Sequence, residues 1–230
     1  MGMRAAVSVI VPTLDAAEGL PRCLAALFEG LEAGLIRELV ISDGGSDDDT
    51  LAIAAEAGAR VVTGAPSRGG QLRRGGDVAA GEWLLFLHAD TVLAAGWAEV
   101  VARHIRAGDF SMAGYFRLEF DAPGIAPRMV ARWANLRSRL FGLPFGDQGL
   151  LISRELYDRV GGYVDIPLME DVALVRQLRG RLVMLCAGAR TSAAKYETTG
   201  YFRRGVRNWL CLMRYFAGAD PAEILRTYRR

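Results

Sequence analysis

The sequence predicts an α/β fold in which helices flank a mostly parallel central sheet. Hydrophobic residues make up 51% of the 230 residues, enough to form a substantial core within one domain. In the N-terminal part, short apolar runs typical of buried strands alternate with segments whose apolar residues recur at helical spacing. That alternation predicts a parallel sheet wrapped by helices.

Two strand-helix units open the chain. Residues 7–11 form a β-branched run that Pro12 is expected to stop, and leucines over 20–31 then recur at helical spacing. Residues 39–42 give a second strand. Ser46 and Asp49 have the spacing of a capping pair, which predicts a helix from there to about residue 57.

Further strands bring polar residues to one edge of the sheet. Residues 60–63 and 83–87 are predicted strands, and residues 71–80 a helix. Ligands of parallel α/β sheets bind beyond the carboxyl ends of the strands. We therefore expect the segments after Val11, Ser42, Thr63 and Leu87 to meet in one crevice.

The second half has a less regular rhythm. Its predicted elements are strands at 112–120, 150–153 and 182–185 and helices at 129–140 and 170–178. We expect one domain over 1–230, with a nucleotide-binding half at about 1–91, an acceptor half at about 92–200 and a basic helical segment at about 201–230.

Composition argues against several classes of protein. A net charge of +2 without a basic run does not favour nucleic-acid binding, and three widely spaced cysteines cannot form a disulfide framework. There is no apolar stretch of about 18 residues and no signal-peptide pattern, so we expect a cytoplasmic protein.

Asp90 directly follows the fourth predicted strand, where a carboxylate has no role in packing. A hard divalent cation would take its oxygen and neutralise the oxygens of a diphosphate. In the alternative, Asp90 caps a helix that begins near Ala94. His88, two residues earlier, is either a polar floor of the crevice or a ligand.

Asp43 ends the second predicted strand beside Gly44 and Gly45. Its carboxylate is placed to accept hydrogen bonds from a base or ribose, and the glycines permit close approach. The alternative is a tight turn before a capped helix.

Two weaker patterns also point to substrate. Arg68 and Arg74 flank a Gly-Gly pair near a predicted helix start, a pattern suited to phosphate binding but equally common in surface loops. Glycines at 146 and 149 flank Asp147 and Gln148, either against a substrate or in a plain turn.

Glu170 and Asp171 stand at the start of a predicted helix, where N–H groups hold a carboxylate ionised and oriented. One of them is a candidate general base. Acidic residues in a first turn are also ordinary helix stabilisers, and that is the alternative.

Taken in order, these segments resemble the family 2 glycosyltransferases, whose nucleotide-binding domain has the GT-A fold. The resemblance rests on Val11-Pro12-Thr13-Leu14-Asp15, Asp43-Gly44-Gly45-Ser46, the Asp-x-Asp-like His88-Ala89-Asp90, and Glu170-Asp171. More narrowly, the chain resembles the radical-SAM/selenodomain-associated transferases. That likeness rests on Ser67-Arg68-Gly69-Gly70-Gln71, Leu87-His88-Ala89-Asp90-Thr91, Gly146-Asp147-Gln148-Gly149 and Pro167-Leu168-Met169-Glu170-Asp171.

The resemblance implies an inverting, metal-dependent transfer of one sugar from a nucleotide-diphosphate sugar to an acceptor hydroxyl. Mn or Mg would bind at Asp90, and Asp171, next to Glu170, would deprotonate the acceptor. The implied donor site consists of Pro12, Thr13, Leu14, Asp15, Asp43, Gly44, Gly70, Gln71, Arg74, His88, Ala89 and Asp90. The implied sugar and acceptor residues are Gly146, Asp147, Gln148, Arg203 and Arg204.

The chain departs from the family pattern at one position and lacks the features of one subgroup. His88 stands where the family has the first acid of Asp-x-Asp, which removes a negative charge near the metal. The Gln-x-x-Arg-Trp signature and membrane helices of processive synthases are missing from the sequence, which favours transfer of a single sugar. The alternatives are a nucleotidyltransferase, whose expected glycine-rich loop with a lysine is missing after the first strand, and a non-catalytic nucleotide-sugar sensor.

An apolar stripe and several arginines share a predicted helix at about 201–217. The stripe comprises Phe202, Val206, Trp209, Leu210, Met213 and Phe216. It either rests on the inner face of an anionic membrane or packs on the domain or on a second subunit. Arg203 or Arg204 is also placed to reach the donor diphosphate as part of a closing lid.

Overall fold

The computed structural model describes residues 5–192 and 200–229. The N-terminal half consists of β1 (Val7–Thr13), α1 (Leu20–Glu32), β2 (Ile36–Asp43), α2 (Thr50–Glu56), β3 (Arg60–Thr63), α3 (Arg68–Val78) and β4 (Trp83–Phe86). The four strands are parallel neighbours in the order β3-β2-β1-β4. Their carboxyl ends therefore meet at one edge, as the sequence predicted.

The second half extends the same sheet. Its elements are β5 (Thr91–Leu93), α4 (Trp97–Arg106), β6 (Ala113–Phe120), α5 (Ile125–Phe141), β7 (Leu150–Ser153), α6 (Arg154–Arg159), α7 (Glu170–Gln177), β8 (Leu182–Thr191), α8 (Tyr201–Phe216) and α9 (Pro221–Arg229). The strand order continues from β4 as β7-β6-β8-β5. β7 is antiparallel to β4 and β6, and β5 is antiparallel to β8, whereas β6 and β8 are parallel.

Helices cover both faces of the sheet because alternate strand residues point to opposite sides. Val9 and Leu85 pack with α1 and α4 on one face, whereas Ile10 and Leu84 pack with α3, α6 and α7 on the other. The predicted α/β fold, with a mostly parallel sheet between helices, is confirmed.

Two predicted boundaries were wrong, one at the end of a strand and one at the start of a helix. Pro12 does not stop β1, which runs on to Thr13. Pairing of β1 with β4 ends at Ile10, so the missing N–H of Pro12 costs no ladder bond. Similarly, α3 begins at Arg68 because the hydroxyl of Ser67 accepts a hydrogen bond from the N–H of Gly70.

Two capping interpretations were also wrong. The Ser46 hydroxyl donates to Asp43, and Asp49 makes no side-chain cap at the start of α2. Asp90 does not cap a helix either, because β5 follows it and α4 begins only at Trp97.

The C-terminal helix α8 packs through a different face from the predicted stripe. Cys211 and Leu212 are buried against the start of α7 and against Ile224 of α9. The stripe residues Val206, Trp209, Leu210, Met213 and Phe216 are instead 41–54% exposed, and the side chain of Phe202 lies outside the described residues. Among the helices that the structure describes, none is long and apolar enough to cross a membrane.

Candidate active site

The loops after β1 and β2 are tied together through Asp43. One carboxylate oxygen accepts hydrogen bonds from the hydroxyls of Thr13 and Ser46, at 2.8 and 2.6 Å. The other accepts from the N–H groups of Gly45 and Ser46, at 2.7 and 2.8 Å. Burial alone would raise the pKa of Asp43, but these four bonds outweigh it and lower the pKa.

Asp43 is thus fully buried and its lone pairs are used within the loop. Asp43 thereby fixes the shape of this loop. The contact that the sequence predicted between Asp43 and a base or ribose stays a prediction.

Gln71 and Arg74 of α3 also face the strand ends. The Gln71 amide donates to the carbonyl oxygens of Thr13 and Ser42, at 2.6 and 3.2 Å. The Arg74 guanidinium donates to the carbonyl of Asp43 at 3.0 Å. A Cβ on Gly44 would lie 3.2 Å from the Gln71 amide, which explains a glycine there. These side chains brace the crevice wall.

Residues 14–17 form the outer lip of the crevice. Asp15 has a φ of 48° and is held by a hydrogen bond from the N–H of Asp47 to its carboxylate at 3.0 Å. Its own N–H donates to the Ser46 hydroxyl at 2.9 Å. Leu14, 46% exposed, lies beside it and is available to a ligand.

The segment after β4 carries His88, Ala89 and Asp90 to the same edge, and all three are half-buried. A Cβ on Gly19 would lie 3.1 Å from the carbonyl of Ala89 and 3.3 Å from the Cα of Asp90. The N-terminus of α1 therefore lies directly against this segment.

Arg68, the first residue of α3, joins three segments of the site. Its Nη2 lies 2.9 and 3.0 Å from the two ring nitrogens of His88, and its Nε lies 3.3 Å from Oε1 of Glu170. Burial would lower the pKa of Arg68, but the charges of nearby carboxylates outweigh it and raise the pKa. These carboxylates belong to Glu170, Asp171, Asp90 and Asp147.

Asp171 and Glu170 at the start of α7 differ in their surroundings. Asp171 is half-buried, and its Oδ2 accepts a hydrogen bond from the N–H of Gly146 at 2.8 Å. Glu170 is buried, and its Oε2 has no hydrogen-bond partner among the described residues. Burial and the charge of Asp171 raise the pKa of Glu170, against the opposing effect of Arg68.

Gly146 is confined by both His88 and Asp171. A Cβ there would lie 2.4 Å from Nε2 of His88 and 3.6 Å from Oδ2 of Asp171. Only a glycine lets the turn at Gly146–Gln148 approach both side chains.

The next two residues of the turn point in different directions. Gln148 is buried and bonds inward to Ser138, Phe116 and Asn135, which holds the turn in place. Its contact with a sugar or acceptor stays a prediction. Asp147 is half-buried, its Oδ1 is enclosed without a hydrogen-bond partner, and burial raises its pKa to about 6.

Family assignment comes from comparison with known proteins. Residues 8–155 match the model of glycosyl transferase family 2. The chain belongs to glycosyl transferase family 2. This family is named for glycosyl transfer, and membership in it argues against the nucleotidyltransferase alternative.

The chain spans about a third of the length of the curated relatives that it matches. PGL/p-HBAD biosynthesis glycosyltransferases of Mycobacterium bovis and Mycobacterium tuberculosis are 41% identical over 93 residues. That match covers 37% of the chain and 36% of each relative. A TPR repeat-containing protein of Synechococcus elongatus is 37% identical over 99 residues, which are 42% of the chain and 23% of the relative.

Solved structures support the GT-A fold. Glucosyl-3-phosphoglycerate synthase of M. tuberculosis, solved with Mn²⁺, UDP and glucosyl-3-phosphoglycerate, aligns with a TM-score of 0.57 and 19% identity. The alignment covers 89% of the chain and 78% of that structure. TarS residues 1–349 of S. aureus align with a TM-score of 0.63 and 16% identity, over 96% of the chain and 68% of TarS. GalNAc-T7, solved with UDP, GalNAc and Mn²⁺, aligns with a TM-score of 0.63 and 14% identity, over 82% of the chain and 44% of that structure.

The acidic residues of the site bear on whether it can hold a divalent metal. Over residues 5–192 and 200–229, no three His, Cys, Asp or Glu side chains are grouped to hold a metal ion. Burial, helped by the charge of Asp90, raises the pKa of Cys23 to about 12, so its thiol is not a ready ligand. Mg²⁺ is often bound through one or two carboxylates plus substrate phosphates and water, and Asp90 fits that arrangement.

The predicted lid arginines lie on α8. The Arg204 guanidinium donates to the hydroxyl of Tyr228 on α9 at 2.8 Å, and Arg203 is exposed. Their contact with a donor diphosphate stays a prediction.

Sequence reasoning did not anticipate that Arg68 binds Glu170. Arg68 was a phosphate candidate from its neighbouring glycines. The pairing could have been inferred only from the burial of Glu170, because a buried carboxylate needs a cation beside it.

Proposed function

We propose that this protein is a metal-dependent inverting glycosyltransferase that moves one sugar from a nucleotide-diphosphate sugar to an acceptor hydroxyl. The observation that carries the proposal is the convergence of Asp90, Arg68 and Asp171 from three separate segments at the carboxyl edge of the sheet. A cation-binding carboxylate, a guanidinium and an oriented base are the three groups that such a transfer needs.

The donor would enter between the loop at residues 12–15 and the segment at residues 88–90. Backbone and side chains of Pro12, Thr13 and Leu14 would line the nucleotide, and Asp43 would hold the loop. When bound at Asp90, Mn or Mg would supply positive charge to the diphosphate oxygens. Arg68, whose pKa the charge of Asp90 helps to raise, would share that role.

Asp171 is the better candidate for the base. In the transfer, the acceptor oxygen bonds to the anomeric carbon as the bond from that carbon to the diphosphate oxygen breaks. The hydroxyl proton passes to Asp171, and the nucleoside diphosphate leaves. The N–H of Gly146 fixes one carboxylate oxygen of Asp171. Glu170, buried and paired with Arg68, is suited to position that guanidinium.

The test requires a donor, and a thermal-shift screen of nucleotide sugars with Mn²⁺ and Mg²⁺ would find one because ligand binding raises apparent stability. UDP-sugars come first, because the mycobacterial synthase and GalNAc-T7 were solved with UDP.

Asp171→Asn keeps the size of the side chain but removes its basicity. We expect turnover to fall by about 10²- to 10⁴-fold with nucleotide affinity nearly unchanged. Asp158→Asn on α6, at a side chain that is 61% exposed, is the matched control and should keep full turnover. Full turnover in Asp171→Asn would remove the base assignment. A wild-type protein that binds donor without any transfer would favour the non-catalytic sensor.

A further inference from the structure

A cavity of about 670 Å³ lies between α5 and α8, beside the proposed site of transfer. Volumes of about 300–1,000 Å³ are typical of sites for small molecules. Its walls are aromatic and aliphatic, and the side chains that form most of them are Trp133, Leu140, Phe141, Trp209, Met213 and Phe216. None of the groups assigned above to donor binding lines it.

Two arginines of the cavity, Arg137 and Arg176, lie over aromatic rings of its wall. The guanidinium of Arg137 lies 3.5 Å from the centre of the Phe145 ring, and that of Arg176 lies 5.3 Å from the centre of the Phe216 ring. These arginines stack on rings that line the cavity and so extend its walls. The apolar body of a ligand would be removed from water here, which is the main source of affinity in such sites.

Asp147 connects the cavity to the reaction. It lines the cavity, and its enclosed Oδ1 lacks a hydrogen-bond partner among the described residues. The preceding residue, Gly146, donates its N–H to Asp171. Phe145 lines both this cavity and the smaller cleft at His88, Glu170 and Asp171. An enclosed oxygen of this kind is suited to accept a hydrogen bond from a hydroxyl group of a bound molecule.

We propose that the cavity between α5 and α8 is the acceptor site, and that it takes an alcohol with a hydrophobic body whose hydroxyl group reaches Asp147 and Asp171. This inference rests on the proposed function, because only a transferase has an acceptor site. Binding of the alcohol, however, is measured without any transfer. The hydroxyl donates to Asp147 on binding and gives its proton to Asp171 in the reaction. The hydrocarbon body fills the apolar space against Trp133 and Trp209.

The probes are 4-butylcyclohexanol and butylcyclohexane, which share a body and differ by the hydroxyl. Tryptophan emission reports on the site, because Trp133 and Trp209 line the cavity whereas Trp83 and Trp97 are fully buried elsewhere. We expect a saturable change with the alcohol and about tenfold weaker binding of the hydrocarbon, as is typical when a polar group is left unpaired. Equal affinity for both probes would overturn the assignment of an alcohol.

Gly205 of α8 is a position from which a larger side chain would fill the cavity. It lines the cavity, and apart from the neighbouring backbone of its own helix no described atom lies within 4 Å of a Cβ built there. Gly205→Phe should abolish saturable binding of the alcohol, whereas Gly205→Ala should retain it. Unchanged binding in Gly205→Phe would refute the site. Asp147→Asn should reduce the difference in affinity between the two probes.

UDP binding with Mn²⁺, measured by calorimetry on the same proteins, separates the two proposals. Unchanged UDP affinity in Gly205→Phe confirms that the donor site is intact. Alcohol binding by a wild-type protein that binds no nucleotide with metal would contradict the proposed function but not the cavity. If the wild type is a dimer that Gly205→Phe dissociates, and neither protein binds the alcohol, the cavity is an interface between two copies and the inference is wrong.

Discussion

At the level of single residues, His88 distinguishes the proposed metal site from the family pattern. The ring faces the guanidinium of Arg68, so this corner of the crevice has a cation where the family pattern has an acid. A like charge repels a metal ion, and Asp90 then supplies the protein carboxylate. Weak affinity for metal without nucleotide and stronger affinity with it follow from this arrangement.

Asp90→Ala tests that arrangement. We expect the variant to bind UDP equally with and without Mn²⁺, whereas the wild type should bind about tenfold more tightly with Mn²⁺, since the diphosphate and Asp90 share the ion. Calorimetry with each metal condition is the measurement. Asp77→Asn on the exposed side of α3 is the control and should keep the metal dependence. Equal effects of Mn²⁺ on the wild type and on Asp90→Ala would contradict the assignment.

At the scale of secondary-structure elements, α3 positions the site by packing closely on the segment before α7. The N–H of Gly69 donates to the carbonyl of Ile166 at 3.0 Å. A Cβ on Gly69 would lie 2.1 Å from the carbonyl oxygen of Val164. Both contacts involve backbone, which cannot yield as a side chain tip can. The distance between Arg68 and Glu170 depends on this contact.

Gly69→Ala should therefore separate α3 from α7. We expect a loss of about 1–3 kcal/mol in the free energy of unfolding, because overpacked sites force backbone shifts. Turnover should fall more than UDP affinity, since the Arg68–Glu170 contact is displaced. Denaturant unfolding and steady-state kinetics are the measurements. Gly205→Ala, also within a helix but with open space at its Cβ, should be neutral or stabilising. Equal stability of the two variants would show that the contact is not rigid.

The strands that sequence patterns predicted best are those buried on both faces. Residues 39–42 and 83–87 form near-continuous apolar runs, and they belong to β2 and β4, which both have a neighbouring strand on each side. The three-residue strand β5 was missed because its place depends on pairing with β8, which no local pattern encodes. The short helix α6 was missed as well, and the exposed stripe on α8 shows that amphipathic spacing does not identify the buried face.

The positions of the site residues were easier to predict than the directions of their side chains. Parallel strands place Asp43 and Asp90 at one edge, whatever the details of packing. The partners of Asp43 and Gln148 come from segments far along the chain, so the inward direction of both side chains was not predictable. The same holds for the pairing of Arg68 with Glu170.

Across the whole molecule, carboxyl groups of the crevice affect the pH dependence of stability in opposite directions. The pKa of Asp43 is lowered, so its contribution is present at neutral pH and is lost as the pH falls through the folded-state pKa. Burial raises the pKa of Asp147 from 3.8 to about 6. The folded state therefore keeps a proton that the unfolded state releases, and stability is lost as the pH rises from about 4 to about 6.

Asp147→Asn removes the loss of stability that ionisation of the Asp147 carboxyl group causes, while keeping the size of the side chain. We expect the difference in melting temperature, variant minus wild type, to increase between about pH 4 and pH 7. Above that range the wild type alone carries a buried carboxyl group that must ionise. Scanning calorimetry at half-unit intervals of pH is the measurement. Asp158→Asn, at an exposed position on α6, is the matched control for the loss of one carboxylate. A pH-independent difference for Asp147→Asn would mean that the carboxyl group reaches water. That outcome would also weaken the acceptor site, because a hydrated Asp147 would not require the hydroxyl of a ligand.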